Sequence, residues 1–486
     1  MSPGFIFGIF LVYTLIIFSV SWITARNADS QSFFIGNHKS PWFVVAYGMI
    51  GASLSGVTFI SIPGWVGSTH FTYFAIVLGY VFGYAIISLV LLPIYYKLNL
   101  TSIYTYLYNR FGNSAYKTGS VFFLISRIIG ASFRMFLVVS VLQVFVFDYF
   151  GIPFWVTVIF FIILIQLYTR KGGIKTIIWT DTLQTTFMLA AVVITIGLVL
   201  SKMEIGIGEM IDTVWASDLS TIFVMDTNSK QNFFKLFLSG IFITIVMTGL
   251  DQDMMQKNLS CKNLKDARKN MTTLSLILVP VNLIFLFLGA VLYLYAAEFN
   301  VQLPELSDHL FPLIAFNHLG LLAGTVFIIG LISAAYSSAD SALTALTTSF
   351  SIDIMEYDKK YGDNESLLKK KRQTIHLLMA LVIIFVIVVF GLINNQAVIS
   401  QLFTLAGYTY GPLLGLYAFG LFTKIEVKDK FIPYIAIIAP VISWFISHYS
   451  ITVFNGYEIG FELLIINGML TFIGLFLIRK PLVKTV

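Results

Sequence analysis

The sequence predicts an all-α polytopic membrane protein of about 13 transmembrane helices, and three observations lead there. Of its 486 residues 58% are hydrophobic and only 11% charged, against about 25% charged in a soluble domain. Apolar runs of twenty or more residues recur from end to end. Each is long enough, at about 1.5 Å per residue, to cross a hydrocarbon core of about 30 Å. Such runs must be helical, because lipid cannot satisfy open backbone groups. Finally, the basic residues sit at alternate ends of the runs, as topology demands.

The first run, 3–25, is longer than the apolar stretch of a signal peptide and has no basic residue before it, so it reads as a retained span. The others cover 42–66, 72–96, 120–146, 152–169, 174–200, 233–256, 272–297, 310–350, 374–394, 398–422, 431–449 and 460–478. With the N-terminus outside, 25 of the 30 Lys and Arg residues fall in inside segments. The positive-inside rule therefore predicts an outside N-terminus and a cytoplasmic C-terminus, in a bacterial-type inner membrane. The net charge of +6 is thus topological and predicts no nucleic-acid partner. The stretch KKKR at 369–372 reads as a cytoplasmic loop on anionic headgroups. The largest outside loop, 201–232, is too short for a catalytic module, and nothing points to an obligate protein partner. The single cysteine, Cys261, excludes a disulfide framework and any multi-cysteine metal site.

Polar residues inside the runs carry the chemistry. GASLSGVTFISIPG, Gly51 to Gly64, interrupts an apolar helix with glycines and hydroxyls. One reading is a broken helix whose freed carbonyls ligate a small cation; the other is close packing through small residues. Ser333, Ser337, Asp340, Ser341, Thr344 and Thr348 share one helical face, which is turned from lipid. A carboxylate at mid-membrane costs about 2.5 to 3.5 kcal/mol on insertion scales, so Asp340 is expected to have a partner and a function. Asp181 raises the same expectation, unless it is interfacial. Arg127 and Arg134 lie seven residues apart on one face. Arg127 is the better counter-charge for a buried carboxylate, and the deeper Arg134 the better donor to a solute carboxylate. Tyr73, Phe74, Tyr408 and Tyr410 are within reach of a central cavity, and the six histidines read as solvated surface. The phosphate loop, metal-binding helix and nucleophile elbow of common enzymes are missing, so no catalytic residue is assigned.

Six segments, in order, resemble the sodium/solute symporter family of sodium-coupled sugar, proline and sialic acid transporters: ADSQSFFIGNHKSPW, SLSGVTFISIPG, GGIKTIIWTD, DMMQKNLSCKNLKDARK, AAYSSADSALTALTTSFSIDI and GYTYGPLLGLYAFGLF. The resemblance implies a leucine-transporter-type core in a single domain: an extra helix at 3–25, a five-helix repeat at 42–200, its inverted copy at 233–422 and two more helices at 431–478. It implies Na+ as the coupling ion, held by carbonyls of Gly51, Leu54 and Ala334 and hydroxyls of Ser337 and Ser338. A second sodium position would use Asp181, Ser337, Asp340 and Ser341, although the sialic acid pattern has serine where Asp340 stands. Ser53, Ser55 and Thr58 match substrate hydroxyl positions, and Arg134 aligns, across a four-residue gap, with a carboxylate-binding arginine. The glutamine expected on the next span is replaced by Val77 or Leu78. The implied activity is sodium-driven import of a small organic solute, with a carboxylate-bearing sugar acid ahead of a neutral sugar, an amino acid or an anion. A membrane sensor on a transporter fold is the alternative from another class.

Overall fold

Long apolar helices account for nearly every predicted run in the computed structural model, which describes residues 3–26, 29–361, 363–393 and 398–481. The last residue of the 374–394 run and the end of the C-terminal tail lie outside the described residues. Helix α1 (Pro3–Thr24) is followed by α2 (Trp42–Thr69) and α3 (Tyr73–Ile86), then α4 (Asn113–Leu142), α5 (Phe154–Gly172) and α6 (Ile174–Met203). The second half comprises α7 (Phe233–Thr244), α8 (Gln252–Leu259), α9 (Leu264–Glu298), α10 (Leu321–Ser349), α11 (Glu365–Ile393), α12 (Val398–Phe422), α13 (Ile432–His448) and α14 (Leu463–Leu477).

Among the described residues nine segments are long and apolar enough to cross a membrane, or ten when the bent pair Phe233–Gly249 and Gln252–Leu259 counts as one span. The predicted 13 differ from these for physical reasons. The runs 42–66 and 72–96 join in one 56-residue stretch, Trp42–Lys97. The run 398–422 lies on α12, which is not among the nine, and α14 has only 15 residues, about 22 Å of helix. Run 233–256 bends by 63° near its C-terminal end, where the Asp251 carboxylate accepts the Asp253 amide at 2.9 Å and caps α8. Run 310–350 is two helices, Leu310–Asn317 and α10, separated at Gly320 with φ 85°.

The core is built where backbones approach closely. Gly79 of α3 faces Gly240 of α7, and a Cβ on either would strike the other helix's backbone. Gly289 gives α9 the same access to Pro63 on α2. Helix α10 packs between α2, α4 and α6, and its polar face is at most 1% exposed from Ser333 to Thr348. Apolar side chains such as Leu15, Trp22 and Leu392 are exposed, as lipid contact requires.

Two expectations are corrected. KKKR begins a helix rather than forming a loop, and Arg372 is fully buried, donating to Ser30 Oγ at 3.0 Å and lying 4.0 Å from the Phe33 ring centroid. His376 is buried rather than solvated, bonded to Thr169 at 2.9 Å and to Thr347 at 2.8 Å. Residues 201–232, between α6 and α7, carry a helix, Ile207–Ala216.

Candidate functional site

The predicted interruption of α2 is present, but not at a glycine. Ser55 has φ 52° and ψ 175°, a conformation that L-residues other than glycine rarely adopt and that costs about 1–3 kcal/mol. Gly51 serves packing instead: its amide donates to Thr185 Oγ1 at 3.1 Å, and a Cβ there would collide with Thr185. The helix is thus broken at Ser55 and closely packed at Gly51.

A cavity of about 90 Å³ opens beside the break. Ser53, Ser55 and Thr58 of α2 and Arg134 of α4 all line it, so the four predicted solute residues are brought together. Leu54, an expected ion ligand, lines it too. Of the expected aromatics Tyr73 reaches the cavity, whereas Tyr410 lies behind it, donating to Asp251 Oδ2 at 2.5 Å. Tyr80 and Tyr84 on α3, Thr244 on α7, Thr248 just beyond it, Asn282 on α9 and Arg127 on α4 complete the polar lining. All of these but Arg127 were missed, although Tyr73, Tyr80 and Tyr84 fall on one helical face by their spacing of seven and four.

The two arginines differ as their depth predicts. Arg127 pairs with Asp253 and lies 3.8 Å from Asp251. Arg134 is 8% exposed and makes no hydrogen bond or ion pair among the described residues; its Nε is buried without a partner. A cation in that position faces the cavity with its donor fork free.

The α10 residues expected to hold ions lie on its buried face. Ala334, Ser337 and Ser338 are each 1% exposed and Leu54 is 2% exposed. Ser337 Oγ donates to Asp181 Oδ1 at 2.7 Å. The hydroxyls of Ser338, Ser341 and Thr344 are buried with no hydrogen-bond partner among the described residues. Asp340 accepts from the Tyr168 hydroxyl at 2.8 Å and the Ser341 amide at 2.6 Å. Asp181 is engaged otherwise than expected: its Oδ2 receives the Lys257 ammonium at 2.6 Å, both groups 1% exposed. Lys257 had counted as an inside loop charge, but the 63° bend folds α8 back into the protein and brings it to Asp181.

A break in α2 and an unpaired guanidinium at one buried cavity, with partnerless hydroxyls on the buried face of the neighbouring α10, are the features of a broken-helix membrane transporter. The match of its family model to residues 33–426 makes the particular assignment: the chain belongs to the sodium:solute symporter family. It is similar to the sodium/sialic acid symporter SiaT of Proteus mirabilis, 24% identical over 83% of this chain and 81% of the relative. The sodium/sialic acid symporter NanT of Aliivibrio fischeri is 24% identical over 93% and 89%, and the human sodium/iodide cotransporter 23% over 86% and 65%. Among solved structures, the substrate-bound outward-open form of a Na+-coupled sialic acid symporter superposes with a TM-score of 0.82 at 21% identity, over 98% of this chain and 99% of that one. Closed Mhp1, a nucleobase-cation-symport-1 family transporter, gives 0.58 at 15% identity over 92% and 93%. The shared fold is that of the leucine-transporter type, and the chain is an integral membrane symporter with Na+ as its coupling ion.

Proposed function

We propose that this symporter imports a small organic carboxylate, of the sugar-acid kind, by alternating access. The observation that carries the reading is Arg134: a guanidinium held in the membrane at the wall of a hydroxyl-lined cavity, with no acid paired to it. A buried charge without a partner is costly, and a solute carboxylate relieves that cost. Ser53, Ser55 and Thr58 supply hydroxyls for the rest of the solute, and the two sialic acid relatives support the sugar-acid class.

Sodium is assigned to the carbonyls of Gly51, Leu54 and Ala334 with the hydroxyls of Ser337 and Ser338. The partnerless Ser338 hydroxyl favours this set, since an all-oxygen shell suits a hard cation. Asp181, Asp340 and Ser341 form a second cation position, in which the Lys257 ammonium already meets Asp181. The reading also takes the chain to be 13 spans, with 42–200 and 233–422 as inverted repeats flanked by helices 3–25 and 431–478. It places the chain in an inner membrane with the N-terminus outside, and assigns it no catalysis. Sodium favours the outward-open state, and the tightness of coupling is the difference in its affinity between conformations.

Proteoliposomes given an inward sodium gradient test the reading. Accumulation of labelled N-acetylneuraminate, and none when choline replaces sodium, is the expected result. Accumulation of a neutral sugar or amino acid in its place overturns the carboxylate assignment.

A further inference from the structure

We infer that the cleft between the basic ends of α1 and α5 is a binding site for the headgroup of an anionic phospholipid. The cleft has a volume of about 640 Å³, in the range of cavities that hold a defined small ligand. Arg26, Arg170, Lys171 and Lys369 contribute four cations to its lining, and no lining residue is a carboxylate among the described residues. Among the described residues none of the four makes an ion pair, although other basic residues do find partners. Lys117 binds Glu356 at 2.7 Å, and Arg372 is tied to Ser30, which is itself held by Glu365. The nearest acidic side chain on the helix of Lys369 is thus occupied: Glu365 accepts from Ser30 N at 2.8 Å and from Ser30 Oγ at 2.7 Å.

The surroundings identify the source of the anion. Phe18 and Trp22 of α1 and Leu167 of α5 line the cleft beside the cations, Trp22 being 78% exposed on a helix without a charged residue. Acyl chains therefore have an apolar wall, the indole an interfacial position, and the phosphate a cluster of donors one turn further on. A soluble phosphate would use the cations but not the wall.

The inner wall adds a consequence. Tyr168 lines the cleft with its ring and donates its hydroxyl to Asp340, two residues before Arg170. A lipid that fixes Arg170 and Lys171 fixes the end of α5, and so the tyrosine that touches the buried carboxylate. The headgroup site is thereby connected to the ion-binding face of α10 through one hydrogen bond.

Native mass spectrometry of the full chain from nanodiscs containing phosphatidylcholine with phosphatidylglycerol tests the site. Wild-type protein is expected to retain phosphatidylglycerol selectively. Arg170→Glu with Lys369→Glu lowers that retention about tenfold or more, whereas Lys265→Glu with Lys269→Glu, on the other basic cleft beside Trp42, leaves it unchanged. Should the charge reversals prevent folding in phosphatidylcholine alone, Arg170→Gln with Lys369→Gln reads the same quantity. Equal retention by wild type and variant overturns the assignment. Displacement of the lipid by millimolar inorganic phosphate also overturns it, in favour of a soluble anion. Because lipid retention is measured without transport, its outcome is separate from that of the carboxylate reading.

Discussion

Lys257 places its ammonium 2.6 Å from Asp181 Oδ2 while Ser337 donates to the other oxygen at 2.7 Å, so one buried carboxylate joins an internal cation to a residue of the proposed sodium shell. Breaking a buried pair from one side costs roughly 3–5 kcal/mol, because the remaining charge is stranded. Lys257→Met is expected to lower the melting temperature sharply in sodium-free buffer, with sodium restoring part of the loss as it takes the vacated place beside Asp181. Adding Asp181→Asn should recover much of the stability and remove the sodium response. Thermal unfolding with and without sodium reads all three states, and independent additive losses would show that the pair is not coupled.

Ser337→Ala with Ser338→Ala removes two of the five proposed sodium ligands. Stabilisation by sodium should then fall toward that given by choline, since ligand stabilisation scales with the logarithm of occupancy. The cost to the fold is confined to the bond from Ser337 to Asp181, as the Ser338 hydroxyl has no partner to lose among the described residues. A thermal-shift titration that matches the wild type at every sodium concentration would remove these residues from the site.

Arg134→Ala should weaken a carboxylate solute by at least about 2 kcal/mol, or roughly 30-fold. Arg134→Lys should rescue only part, because a point charge does not reproduce a two-pronged donor. Isothermal titration in sodium measures both. Affinity left intact by Arg134→Ala would place the solute elsewhere.

Ser55 occupies a backbone region suited to glycine, so Ser55→Gly and Ser55→Val should separate conformation from chemistry. The valine variant is expected to lose stability on the order of 1–3 kcal/mol relative to the glycine variant, since both lack the hydroxyl but only one is strained. Paired melting curves decide it. Equal stabilities would mean that the break moves away from residue 55.

Much of this site was legible because membranes make polar residues conspicuous. The hydroxyl face around Asp340 was visible from helical spacing, and Arg134 stood out as a charge too deep for a headgroup. What stayed hidden depends on helix ends. Lys257 and Arg372 sit in segments whose basic content serves the positive-inside pattern, and their burial follows from the bend before α8 and from the docking of Ser30–Ile35, neither of which a hydropathy count can foresee. His376 was hidden in the same way, by a neighbouring helix that supplies Thr169. The tyrosines of α3 did leave a signal, their spacing along one face, but in a chain with 24 tyrosines that pattern blends into interfacial packing.

A continuous α-helix carries a push along its length through its ladder of hydrogen bonds, and in α2 the irregular geometry at Ser55 interrupts that ladder. The two levers on either side are bolted to different parts of the machine. Residues 42–54 are fastened to α6 through Gly51 and Thr185, whereas residues 56–69 are clamped to α9, where Tyr293 donates to the Gly64 carbonyl at 2.6 Å and Gly289 lies under Pro63. The far half of α2 is therefore coupled to α9, and the half that bears Gly51 and Leu54 to α6. The cavity wall takes Ser53 and Leu54 from the half held by α6 and Thr58 from the half held by α9, so the two anchorages meet across it.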